Sequence, residues 1–153
     1  MSTFVKVTGA NELAIVARRL KQAGEGQLRR ELLAGLRAGA KPLIPLAKQA
    51  ARNQLPKRGG LAARVASEPM SVRIRTGGRN PSVRIVTTTT DTRGANRGVI
   101  RHPVFGHRDR FVSQPFPRSA GWFDQTLSRE GPAVADELRR TLQKVADQLG
   151  RRL

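Results

Sequence analysis

The chain contains no cysteine and no tyrosine, and its aromatic content is one tryptophan and five phenylalanines. Without cysteine, disulfides and thiolate metal sites are excluded. With so few aromatics the core has to be built from Leu, Val, Ile and Ala, and a core of such modest side chains is often completed by neighbouring subunits. Histidine occurs only at His102 and His107. No apolar stretch approaches the roughly 20 residues that span a bilayer. The start "MSTFVKVTGANEL" lacks the charged region and apolar run of a signal peptide. The expectation is a soluble protein, made in a cytoplasm and with no membrane partner. Its 153 residues suffice for one domain, 1–153, and are too few for two comfortable ones.

Acidic residues are also scarce. Eleven Asp and Glu face 29 Lys and Arg, a net charge of +18. Residues 32–90 hold eleven basic residues against a single acid, Glu68. Such a surface attracts polyanions, whether nucleic acid or an acidic protein face. Arginine outnumbers lysine 23 to 6, a usage that GC-rich coding also produces without any binding role.

The organisation reads as helices, then strands, then a helix: an α+β domain with N-terminal helices, a central antiparallel β-hairpin or sheet, and a long C-terminal helix packed on it. Residues 1–9 form an arm or short strand. Leu13, Val16, Ala17 and Leu20 follow the i, i+3, i+4, i+7 spacing of a helical stripe, with Asn11 as N-cap and Gly24 and Gly26 as its end. A longer pattern keeps Leu28, Leu32, Leu36, Ala40, Leu43, Ala47 and Ala50 on one side. Pro42 and Pro45 lie inside it and predict a kink in one helix rather than two helices.

The tetrapeptide Ser-Val-Arg-Ile occurs at 71 and again at 82. Alternation within each copy, joined by "TGGRNP", predicts a β-hairpin with Val72, Ile74, Val83 and Ile85 on one face and Arg73, Arg75 and Arg84 on the other. Residues 87–98, glycine-rich and polar, and 106–118 are expected as exposed loops. Between them "VIRHPVFG" reads as a strand at an edge or with a bulge at Pro103. In the C-terminal third, Leu127, Val134, Leu138, Leu142, Val145 and Leu149 form a stripe. Ser119 is the expected cap, and Gly131-Pro132 either kinks or restarts the helix.

Catalytic signatures are missing. A metal site needs three or four converging ligands; His102, His107 and Asp109 have no further His and no paired carboxylates to join them. No G-x-S-x-G turn and no phosphate-binding glycine loop occurs, and "GANRG" lacks a strand–helix context. The expectation is no enzymatic activity, no metal and no cofactor.

Five of the six aromatics, Phe105, Phe111, Phe116, Trp122 and Phe123, crowd into residues 105–123. Trp122 and Phe123 are expected to anchor the core, with Phe105 plugging it beside Phe123. Aromatics mixed with arginine match the composition of interface centres. Pro103, Pro115 and Pro117 stiffen the segment, which lowers the entropy lost on docking.

The string "GVIRHPVFGHRDRFVSQPF", followed by "GWFDQTL" and a long charged helix, resembles the tail-completion or head–tail joining proteins of long-tailed bacteriophages, also described as minor tail or neck proteins. "LPKRGGLAARVA", a Pro-x-x-Gly-x-Leu pattern before the hairpin, agrees. The likeness runs over about residues 10–150, with Phe111 where the family usually has Trp. The resemblance implies an α+β virion subunit without cofactor, assembled in the host cytoplasm. It implies a homo-oligomeric ring, commonly sixfold, whose partners are itself, the adjacent neck or connector ring, and tail-tube proteins. The expected ring contacts are His102, Pro103, Phe105, His107, Arg108, Arg110, Phe111, Gln114 and Phe116. Arg73, Arg75 and Arg84 would meet either packaged DNA or, in the favoured reading, acidic faces of adjoining rings. The alternative is a basic nucleic-acid-binding protein of nucleoid or ribosomal type.

Overall fold

A computed structural model describes residues 2–5, 10–79, 81–88 and 92–152. The elements in chain order are β1 (Ser2–Val5), α1 (Ala10–Gln22), α2 (Gly26–Ala40), α3 (Leu43–Gln54), α4 (Leu61–Ser67), β2 (Met70–Arg75), β3 (Ser82–Thr87), α5 (Thr92–Asn96), β4 (Val99–Val104), β5 (His107–Pro115), a 3₁₀ turn (Pro117–Ser119) and α6 (Trp122–Arg152). The architecture is α+β, with helices first, antiparallel sheets next, and the long helix last.

The helical stripes bury as their spacing demands. Leu13, Ala17 and Leu20 of α1, Leu28, Leu32, Leu36 and Ala40 of α2, and Leu43, Ala47 and Ala50 of α3 are all buried. They meet Val134, Leu138, Leu142, Val145 and Leu149 of α6, and Val83 and Ile85 of the sheet, in one continuous core. The most extensive packing of α6 is on α2 and α3, and α2 in turn touches β2. Gly35 makes the α2–α6 approach possible: a Cβ there would collide with the Thr141 methyl of α6. No helix among the described residues is long and apolar enough to cross a membrane.

Three local readings need correction. The pattern from Gln27 to Ala50 is two helices, not one kinked helix. Pro42 has no N–H to donate, and the ladder breaks at Lys41-Pro42. Both residues keep right-handed helical dihedrals, so the apolar stripe passes through the break unshifted. Asn11 is not an N-cap, because α1 already starts at Ala10. Ser119 does not cap α6. It is buried, and its hydroxyl donates to the Gln54 carbonyl. Of the two outcomes left open for Gly131-Pro132, a restart does not occur, since α6 runs through Pro132.

The larger sheet has the order β1-β3-β2, all antiparallel. Ser2–Val5 of the expected arm is thus a strand; residues 6–9 lie outside the described residues. The 87–98 segment is no exposed loop over its described part: Thr87 ends β3, 92–96 form α5, and Gly94, Ala95 and Gly98 are buried. Residues 89–91 lie outside the description. The 106–118 segment is exposed as expected, but most of it is strand β5 rather than loop.

Candidate interaction surfaces

Strands β4 and β5 form a separate two-stranded sheet. Its register runs from Val99↔Pro115 to Pro103↔Phe111, and then jumps to Val104↔His107. Across that jump β4 advances one residue while β5 advances four, from His107 to Phe111, so Arg108, Asp109 and Arg110 have no β4 partner. The cause is Pro103, which cannot donate to the ladder and is tolerated at a bulge. Phe105 and Gly106 make the turn, with Gly106 in the left-handed region at φ 81°.

Every residue of β5 is exposed. Phe105 at the tip is 101% exposed, Phe111 51% and Val112 44%. The expectation that Phe105 plugs the core is therefore wrong: a two-residue turn at the end of a projecting ribbon points away from the body. Phe111 pairs with Pro103 and Val112 with His102, so the two apolar residues lie on opposite faces of the ribbon. The Arg101 guanidinium sits 5.5 Å from the centre of the Phe111 ring, a cation–π distance. A two-stranded ribbon with neither face covered is marginal in water, and both its strands are edges open to further pairing.

The sequence-derived contact residues divide accordingly. His102, Pro103, Phe105, His107, Arg108, Arg110, Phe111 and Gln114 all sit on this hairpin. Phe116 does not belong with them: it is half-buried and packs against the core. His102 and His107 occupy different rungs, opposite Val112 and Val104 respectively. The Nδ1 of His102 lies 3.1 Å from the Pro103 carbonyl oxygen. Trp122 and Phe123 are buried, and their rings meet edge to face with centroids 5.4 Å apart.

On the larger sheet, Arg73 lies directly across from Arg84, and Arg75 across from Ser82. The three arginines share the outer face, as the alternation predicts, while Val83 and Ile85 point into the core. Like charges directly opposed across strands destabilise a sheet.

One residue at the base of the β4–β5 hairpin escapes sequence reasoning altogether. Asn96, inside the "GANRG" string, caps α6 from a distance. Its Oδ1 accepts from the backbone N–H of Phe123 at 3.0 Å and of Asp124 at 3.2 Å, and its Nδ2 donates to the Asp124 carboxylate at 2.7 Å. The Asn96 carbonyl accepts from Gly121 N–H, and the Gly98 carbonyl accepts from Phe116 N–H. Gly98 has φ 77°, and a Cβ there would press on Ala120 and the Phe116 carbonyl. The Asn96 bonds fasten the start of the hairpin to the first turn of α6, and the Phe116–Gly98 bond ties its two ends together. A hint existed in the lack of any capping residue immediately before Trp122, but the partner lies 26 residues upstream and no local pattern points to it.

No family model, no characterised protein and no solved structure matches this chain.

Proposed function

We propose that this chain is a non-catalytic structural protein of the bacteriophage neck, a virion subunit that forms a ring of about six copies and joins or completes the tail at the head–tail interface. The observation that carries the proposal is the β4–β5 hairpin. It holds the string on which the resemblance rests, and it presents Phe105, Phe111 and Val112 to solvent on a ribbon that cannot bury them itself. A projecting ribbon of this kind is suited to dock on a neighbour's surface away from its own base. Made in one direction around the assembly rather than exchanged between two copies, that contact is heterologous, and it gives a ring when the rotation closes. The further partners under this proposal are the adjacent connector ring and the tail-tube proteins.

The test separates assembly from folding. Phe105→Ser combined with Phe111→Ser should change the folding stability of the isolated subunit by no more than about 0.5 kcal/mol, as for surface positions. The same variant should shift the wild-type oligomer toward monomer in sedimentation velocity, by tenfold or more in dissociation constant. Matching oligomer mass in variant and wild type would remove the hairpin from the interface.

A further inference from the structure

We propose that the outer face of β2 and β3, centred on Arg73, Arg75 and Arg84, binds the phosphodiester backbone of nucleic acid without reading its sequence. The inference is independent of ring formation. Residues 69–90 contain four arginines and no acid. Neither Arg73 nor Arg75 has an ion-pair partner among the described residues. The register sets Arg73 directly opposite Arg84, so the two guanidinium groups stand side by side on one face.

One of the three guanidinium groups is oriented by its own strand. Arg84 donates through Nε to the Ser82 hydroxyl at 2.9 Å, which fixes the plane of its fork. Arg75 lies back over the turn, its guanidinium beside Gly78, which is in the left-handed region at φ 80°. The face is concave, and hydroxyls of Ser71 and Thr88 line it beside the arginines. Arginine forks and hydroxyls are the groups that contact phosphate oxygens.

Two features separate this ligand from an acidic protein. Protein interfaces are organised around buried aromatic or apolar anchors, and those are on the β4–β5 hairpin. On this face β2 and β3 place Ser71, Arg73, Arg75, Ser82, Arg84 and the half-buried Val86, with no large apolar side chain free to insert. Phosphate contact of this kind positions a duplex and carries no sequence information.

The test uses the full chain and a labelled DNA duplex of mixed sequence, titrated by anisotropy across a salt series. Each phosphate contact contributes about 0.9 to the slope of log affinity on log salt, so the triple Arg73→Gln, Arg75→Gln, Arg84→Gln should lower the slope by about 2.7. A control triple with the same charge loss on α6, Arg139→Gln, Arg140→Gln, Arg151→Gln, should leave the slope unchanged. Replacing the three sheet arginines by Lys should restore it, because point charges suffice for phosphate, whereas bidentate carboxylate recognition is lost with Lys. Equal loss in both Gln triples would reduce the effect to bulk charge and overturn the proposal. So would wild-type binding to poly-glutamate but not to the duplex, abolished in the sheet triple, which would make the partner an acidic protein.

Discussion

Trp122→Ala is expected to cost about 3–5 kcal/mol of folding stability, the range for truncating a large buried aromatic. That is a large share of the roughly 5–15 kcal/mol that holds a domain together, so the variant should be largely unfolded at the temperature where the wild type begins to melt. Trp122 is 0% exposed, and it stacks edge to face on Phe123 in the first turn of α6. The core is mostly Leu, Ala and Val, side chains too small to fill a space of indole size. Trp122→Phe should cost clearly less. It keeps an aromatic ring, and it removes an indole N–H that is buried without a hydrogen-bond partner among the described residues, a donor that is costly to leave unmade. Urea denaturation of the three proteins checks the ranking. A loss below about 1 kcal/mol in Trp122→Ala would mean that the helix start is not anchored by this ring.

Asn96→Ala is expected to cost about 2 kcal/mol, at the upper end for loss of a helix N-cap. The high figure follows from three side-chain bonds disappearing at once, two accepted from backbone amides and one donated to the Asp124 carboxylate. Asn96→Asp should fall between. Its carboxylate still accepts from the amides and favours the positive end of α6, but it sets a second negative charge against Asp124. In hydrogen exchange, the amides of Phe123 and Asp124 should lose protection in Asn96→Ala while those of the α2 core keep theirs. Unchanged protection at Phe123 would show that the cap contributes nothing to holding the helix start.

The parts of this fold governed by short-range periodicity were legible in the sequence. The stripes of α1, α2, α3 and α6 and the repeated Ser-Val-Arg-Ile strands declare their buried faces, because burial on a helix or strand is set by spacing along the chain alone. Pro103 was legible as a bulge for the same local reason: a missing donor. What was not legible depends on where elements end up in space. Phe105 reads as core by composition, yet a tight turn carries it to the exposed tip of the ribbon, away from the body. Phe116 has the same composition around it and lies against the core, because its N–H bonds back to Gly98 at the ribbon's base. Asn96 was invisible as a cap because its helix begins 26 residues later. The break at Lys41-Pro42 was misjudged because the stripe on either side is continuous, and only the backbone ladder reveals it.

If the β4–β5 hairpin reaches a second copy of the chain, its tip is where the contact can be trapped. A photo-crosslinking phenylalanine analogue is placed at position 105, which has no packing role to disturb, and the concentrated full chain is irradiated. The account predicts covalent joining between copies, with the linked peptide mapping to the neighbour's body outside residues 99–115. Crosslinks confined to the same chain, or between two tips alone, would contradict a head-to-tail ring contact and remove the basis for assigning the hairpin to assembly.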